Sequence, residues 1–294
     1  MPSSGRSALK RLIVTADDFG LALEVNEAVE TAHQSGVLSA ASLMVGGPAA
    51  ADAIARARRM PRLRVGLHLA LVDGPALLAR MEAPDLVDDD GRLRTDLARF
   101  GWEIAVRPAV RRQVRAEIEA QFKAFRATGL PLDHVNAHKH YHLHPVIAQE
   151  MLSVGRAYGV KGVRVPIEPS RVLAAIEPGL RRSSAWIMAP WAILLARKLR
   201  RIGMWSPDAV FGLTWSGQMT TVRVAGLINR LPVGCSEIYM HPAVRGGFPF
   251  SAPEYRYADE LAALTAATTV AAARSGDIAL GGYADFWPTA RGGL

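Results

Sequence analysis

The stretch RLIVTADDFGLALEVNEAVETAHQSG, Arg11–Gly36, contains one complete strand-and-helix unit. Arg11–Ala16 is a short apolar run of the kind that forms a parallel strand buried on both faces. From Leu23 onward apolar residues recur at helical spacing until Gly36 closes the helix. The same alternation returns along the chain. AASLMV (Ala40–Val45) is a second strand ahead of a helix opened by Pro48, and LRVGLHLAL (Leu63–Leu71) is a third. An amphipathic helix over about Val110–Thr128 ends at Gly129 and leads into LDHVNAH, and another helix runs from Pro145 to near Gly159. KGVRVP (Lys161–Pro166), AVFGLT (Ala209–Thr214), SEIYMH (Ser236–His241) and DIALGGY (Asp277–Tyr283) continue the series. About seven or eight strands alternating with helices predict a parallel sheet, most simply a complete or distorted (β/α) TIM-like barrel. The expectation is a single domain over residues 1–294, with two longer interruptions, at about 72–107 and 167–208, as insertions.

Composition narrows the function classes. With 35 Lys and Arg against 27 Asp and Glu, the chain carries a net charge of +8 and a pI near 10.0. Its arginines cluster at Arg56–Arg64, Arg107–Arg115 and Arg181–Arg201, which points to an acidic partner, either nucleic acid or an anionic membrane surface. Nucleic acid is set aside, because aromatic residues make up 7% and no basic stripe is interleaved with them. The membrane surface stays. RRSSAWIMAPWAILLARKLRRIGMW, Arg181–Trp205, has an apolar middle of twelve residues, Ala185–Ala196, interrupted by Pro190 and too short to span a bilayer. Its tryptophans, Trp186, Trp191 and Trp205, and its basic flanks suit either a buried barrel helix or a segment lying in an anionic membrane interface. Cys235 is the sole cysteine, so nothing asks for an oxidising compartment. The opening MPSSGRSALKRLIV lacks the apolar stretch of a secretory signal. We expect a cytoplasmic protein, peripheral at the inner face of the membrane if 181–205 docks there.

In parallel barrels the reactive groups gather beyond the C-terminal ends of the strands. Asp17 and Asp18 stand at the first such end, His68 at the third, His138 and its neighbours at the fourth, Arg164 at the fifth and His241 at a later one. Each alone has an ordinary structural explanation: adjacent aspartates bend turns, one histidine can be a hydrogen-bonded core residue, and Arg164 can be half of an ion pair. Their joint placement favours a catalytic site. One carboxylate with two imidazoles is a common catalytic metal set that leaves positions open for water and substrate. Successive side chains at a strand end point to different sides, so one aspartate can bind the ion while the other stays free as a base. HVNAHKHYHLHP, His134–Pro145, adds five of the chain's eight histidines.

In order and along most of the chain, LIVTADDFG, GLHLAL, HVNAHKHYHLHP, VRVP and EIYMHP resemble the motifs of the YdjC/ChbG family of metal-dependent carbohydrate deacetylases. Within it, TADDFG, AASLMVGGPAAADA and GLPLDHVNAHKHYHLHP are similar to the hopanoid-biosynthesis branch called HpnK. The resemblance implies a distorted barrel, one divalent ion, and hydrolysis of the N-acetyl group on an amino sugar. For HpnK it implies that the sugar is the headgroup of an N-acetylglucosaminyl hopanoid, deacetylated to the glucosaminyl lipid. Matched position by position, the resemblance implies Asp18, His68 and His138 as the metal ligands, Asp17 as the base and His241 as the candidate acid; the strand-end placement adds Arg164 as a catalytic residue. His140, His142, Lys139 and Asn136 then contact the ligands or the substrate, and His134 and His144 are structural. Asn136 and the run His138-Lys139-His140 depart from the aspartate and three consecutive histidines of many relatives, which bears on substrate preference. Oxygen and imidazole ligands suit zinc, or magnesium when waters complete the shell. Rival readings are deacetylation of a soluble chitooligosaccharide, a metal-dependent phosphoesterase, and a binding module whose ion is saturated. A serine hydrolase is disfavoured, since no G-x-S-x-G turn occurs.

Overall fold

A computed structural model describes residues 10–180, 185–275 and 277–287. Among the described residues seven strands alternate with helices: β1 (Lys10–Phe19), α1 (Leu23–Ser35), β2 (Ala40–Leu43), α2 (Ala50–Arg59), β3 (Arg64–Leu69), α3 (Leu97–Val106), α4 (Pro108–Ala127), β4 (Val135–Ala137), α5 (Pro145–Ala157), α6 (Ser170–Ile176) and α7 (Ala185–Arg201) come first. β5 (Ala209–Phe211), α8 (Thr221–Ile228), β6 (Cys235–Met240), α9 (Tyr257–Thr265), α10 (Ala267–Ala273), β7 (Ile278–Leu280) and α11 (Tyr283–Phe286) complete the order. Every ladder is parallel, and the strands run β4-β3-β2-β1-β6-β5 across the sheet. β1 is the central strand, buried from Leu12 to Phe19. One of its edges is taken by β6 over Arg11–Ala16; the other is shared by β7 at Lys10–Leu12 and β2 at Thr15–Phe19.

The expected strand at Lys161–Pro166 is not a regular strand, and this corrects the sequence reading. Pro166 has no N–H to donate and disfavours regular geometry around it. The segment nevertheless bridges the two ends of the sheet. Val135 N–H donates to the Gly162 carbonyl and Arg164 N–H to the Val135 carbonyl, while Val163 N–H reaches the Trp205 carbonyl and Val210 N–H the Ile167 carbonyl. Backbone hydrogen bonds thus run from β4 through this segment to β5, curling the sheet into a distorted barrel.

The two interruptions hold local structure of their own. The first contains turns and α3; the second contains α6 and α7. α7 is two-faced: Ala192, Leu195, Ala196 and Leu199 are buried, whereas Trp191, Ile193 and Leu194 are 47, 44 and 53% exposed. Arg197, Arg200 and Arg201 are exposed beside them. Arg181, Arg182 and the side chains of Trp186 and Ile187 lie outside the described residues. Among the described residues no helix is long and apolar enough to cross a membrane.

Candidate active site

β1 ends in a distortion that decides the site. Its register with β2 shifts between Ala16 and Phe19, and Asp18 takes a φ of 63°. Strict alternation would send Asp17 and Asp18 to opposite sides; the bulge turns both into the same cavity, as bulges beside active sites do. This corrects the expectation drawn from strand alternation.

The cavity measures about 430 Å³. Strand-end residues Asp17, Asp18, His68, His138, His140, Tyr239 and His241 line it together with Lys139, Asp73, Met188, Ser216 and the loop from Phe250 to Tyr255. Among the described residues, all five non-glycine positions with positive φ (Asp18, Asp73, Lys139, His140 and Phe250) lie on its wall. Such backbone is costly for L-residues and concentrates at functional sites. Lys139 pairs with Asp73 across the rim.

Three potential ligand atoms converge. His68 Nε2 lies 3.3 Å and His138 Nδ1 3.2 Å from Asp18 Oδ1, and the ligand atoms of this trio fall within 4.8 Å of one another. Burial opposes ionisation of Asp18, yet His138 and His68 beside it hold its carboxyl well below the usual range. Burial likewise opposes charge on His68, but Asp17 and Asp18 outweigh it and raise its pKa. The carboxylates therefore draw positive charge into the pocket, either a proton or a cation. His68 Nε2 is buried and satisfies no hydrogen-bond geometry, so an available lone pair there fits a cation. The donor set, one carboxylate and two imidazoles, fits a divalent ion.

Asp17 is held separately. Arg164 Nη1 donates to its Oδ2 at 2.5 Å and Asn136 Nδ2 to its Oδ1 at 3.2 Å. Burial raises its pKa, but Arg164 and then His68 overcome that and keep it an anion well below the usual carboxylate range. Arg164 does not line the cavity. It is fully buried behind Asp17, forked onto Glu237 at 3.1 and 2.8 Å and lying over the Tyr239 ring at 4.5 Å, so it acts through Asp17. Glu237 also accepts from the hydroxyls of Thr15 and Tyr283, at 2.7 and 2.6 Å. Sequence reasoning missed this carboxylate, although a lone acidic residue inside the apolar run SEIYM was the available signal.

His241 borders the cavity from the end of β6. Its backbone N–H donates to Glu260 at 2.5 Å, and Tyr255 tilts against its ring at 5.0 Å. Burial pulls its pKa below the ordinary imidazole value, with Asp18 and Asp17 opposing, so it rests neutral. His140 and His142 are neutral too, each lowered chiefly by burial, His142 to about 4. The Tyr239 hydroxyl donates to His140 Nε2 at 2.8 Å, and His142 Nε2–H donates to the Arg164 carbonyl at 2.9 Å. His140 and Lys139 reach the cavity; His142, Asn136, His134 and His144 do not. The loop bearing Phe250 and Tyr255 was not anticipated either, because it has no periodicity; its paired tyrosines, Tyr255 and Tyr257, were the available cue.

Residues 11–274 match the family described as YdjC-like protein, and the chain belongs to that family. It is similar to proteins named carbohydrate deacetylase in other organisms. The Mus musculus protein is 33% identical over 83% of this chain and 80% of its own length. The Geobacillus stearothermophilus protein is 30% identical over 94 and 97%. The Brevibacillus brevis protein is 37% identical over 53% of this chain, a match spanning 59% of its own length. Among solved structures, an Enterococcus faecalis protein provisionally described as a cellobiose-phosphate cleavage protein superimposes with a TM-score of 0.71 at 22% identity, covering 94% of this chain and 98% of that one, and so shares the fold.

Proposed function

We propose that this YdjC-like chain is a metal-dependent carbohydrate N-deacetylase whose substrate is the N-acetylglucosaminyl headgroup of a hopanoid lipid. One observation carries the reaction class: a cation-fitting trio, Asp18, His68 and His138, shares a cavity with a separately held carboxylate, Asp17, and a neutral imidazole, His241. The names of the similar proteins support carbohydrate deacetylation, and the HpnK-like wording of the sequence motifs supports the lipid.

In this reading Asp18, His68 and His138 hold a divalent ion, zinc or magnesium. When bound, the ion polarises the acetyl carbonyl and acidifies the attacking water, which a base as weak as Asp17 requires. Arg164 and Asn136 fix the direction of the Asp17 carboxylate, so it takes the water proton without first reorganising. His241, neutral at rest, accepts that proton in turn and passes it to the amine nitrogen as the C–N bond breaks, because an amide anion is a poor leaving group. Tyr255 packs against the imidazole, and Glu260 anchors the His241 backbone that carries it. The N–H and O–H groups lining the cavity stand where a sugar's hydroxyls can be bound.

The lipid substrate draws support from α7. Met188, near its start, lines the cavity, and the exposed Trp191, Ile193 and Leu194 beside Arg197, Arg200 and Arg201 match the apolar and basic halves of an anionic membrane interface. We infer peripheral docking through this helix at the cytoplasmic face, with the sugar brought to the cavity while the ring system stays in the lipid. The test is mass spectrometry of acetyl loss from an N-acetylglucosaminyl hopanoid and from short N-acetylated chitooligosaccharides, with zinc or magnesium added in turn. Acetyl loss from the lipid is expected. Turnover of the oligosaccharides alone would assign a soluble substrate, and phosphate release from phosphoesters without acetyl loss would overturn the reaction class.

A further inference from the structure

A line of buried polar side chains leads away from the cation-fitting trio, and the register of three strands builds it. Ser42 on β2 is paired with Gly66 on β3, and His68 on β3 is paired with Asn136 on β4. Continuing the β3–β4 register by one residue sets His134 opposite Gly66, with the Leu67 N–H on the His134 carbonyl. The His134 ring therefore crosses over β3 to reach Ser42. It can do so because Gly66 has no side chain: a Cβ there would fall 2.5 Å from the ring. Tyr283 stacks on the ring at 4.6 Å.

The donors and acceptors along this line follow one another in one direction. Asp133 begins it, since an ionised carboxylate only accepts. Its oxygens take the N–H groups of Tyr283 and Ala284 at 3.1 and 2.8 Å, and His134 Nδ1–H at 2.9 Å. With the proton on Nδ1, His134 Nε2 is an acceptor, and the Ser42 hydroxyl donates to it at 3.0 Å. Ser42 Oγ is then the acceptor for Asn136 Nδ2 at 2.9 Å. That settles which way the amide faces, a matter only the network can decide. Nδ2 points to Ser42 and Asp17, and Oδ1 points to His68 Nδ1 at 2.6 Å. His68 must donate from Nδ1, which leaves Nε2 facing Asp18.

We propose that Asp133, His134 and Ser42 form a one-way hydrogen-bond relay that locks the orientation of Asn136 and, through it, frees the Nε2 lone pair of His68 to bind a cation. The four are positioning residues, fully enclosed and out of reach of substrate. Asn136 serves two sides at once, with its oxygen on a ligand and its nitrogen on the Asp17 carboxylate. The proposal rests on the metal reading above.

The probe is zinc alone, titrated in competition with a chromophoric chelator, alongside the urea midpoint and deacetylation rate. Ser42→Ala should weaken zinc binding by about 10- to 100-fold, the range for partners that orient a ligand, in a protein that still folds with a lowered urea midpoint, because His134 and Asn136 each lose a buried partner. Gly66→Ala should weaken zinc binding likewise, by displacing the His134 ring without deleting a polar group. Asn136→Asp should hold zinc within about threefold, since a carboxylate oxygen still accepts from His68. Wild-type zinc affinity in folded Ser42→Ala, or equal zinc loss in Asn136→Asp and Ser42→Ala, would overturn the relay. Should Ser42→Ala not fold, ¹⁵N spectra of the zinc-loaded wild type decide: His68 must carry its proton on Nδ1, and a proton on Nε2 refutes the relay. A wild type that binds no zinc and no other divalent ion refutes the metal reading and the relay together; failure in the variants alone refutes only the relay.

Discussion

Replacing Arg164 by methionine should destabilise the protein more than removing any surface charge. The guanidinium is fully buried and serves two carboxylates, Asp17 at 2.5 Å and Glu237 at 2.8 Å. Methionine keeps much of the volume but leaves both anions without a counter-charge. Asp17 retains the Asn136 amide, and Glu237 retains the hydroxyls of Thr15 and Tyr283, so each keeps at least one donor. Breaking one partner of a buried ion pair costs about 3–5 kcal/mol. Against a usual domain stability of about 5–15 kcal/mol, that is about a fifth or more of the whole. At roughly 2–4 °C per kcal/mol for a chain above 150 residues, the melting temperature should fall by about 10 °C. Urea unfolding followed by circular dichroism would measure the loss. Arg164→Met/Glu237→Leu should recover part of it, because one stranded charge is gone. A loss below about 1 kcal/mol in Arg164→Met, or a double variant less stable than the single one by the full cost of Glu237→Leu alone, would refute the view that the arginine's main role is to neutralise this pair.

Other outcomes follow from the site and the helix beside it. Asp18→Ala, His68→Ala and His138→Ala should each lose bound metal, read by elemental analysis, and lose deacetylation; full occupancy in one of them would remove that residue from the ligand set. Asp17→Asn should keep its metal but turn over about 10²- to 10⁴-fold more slowly, and a kcat near normal would show that another group takes the proton. Burial raises Glu260 to about 7 against its own backbone hydrogen bonds. The folded state therefore binds a proton that the unfolded state has released above about 4.5. Stability from this group should fall as pH rises from about 4.5 to 7, by roughly 3 kcal/mol in all, and Glu260→Gln should flatten that slope in urea midpoints measured across the range. Trp191→Ser/Ile193→Ser/Leu194→Ser should abolish salt-sensitive cosedimentation with anionic liposomes and lower activity on the lipid; a folded triple variant that binds and turns over like the parent would assign this face to another contact.

The apolar runs at Arg11–Ala16, Ala40–Val45, Leu63–Leu71 and Ser236–His241 marked their strands in sequence because strands buried on both faces leave a continuous hydrophobic signal. The polar residues at their C-terminal ends were legible for the same reason, as chemistry placed where the apolar run stops. Three features were not. The segment after Lys161 reads as a strand by composition but closes the barrel through isolated hydrogen bonds, because Pro166 cannot continue a ladder. Asp17 and Asp18 share a cavity because of a bulge, and a bulge leaves no periodic trace. Glu237 sits where the run expects apolar packing, and its function appears only once Arg164, brought from the segment that bridges β4 and β5, meets it.

The left-handed rim of the cavity sets a limit on engineering. Asp18, Asp73, Lys139, His140 and Phe250 each hold backbone that costs an L-residue on the order of 1–2 kcal/mol. A screen for heat resistance would be rewarded for placing glycine at these positions, since glycine adopts such angles freely. Each such gain would strip a side chain from the cavity wall. Thermostable variants selected without an activity assay should therefore accumulate glycines around the mouth and arrive as sturdy, inactive barrels, whereas selection on turnover should leave the rim untouched and harden the helices outside it.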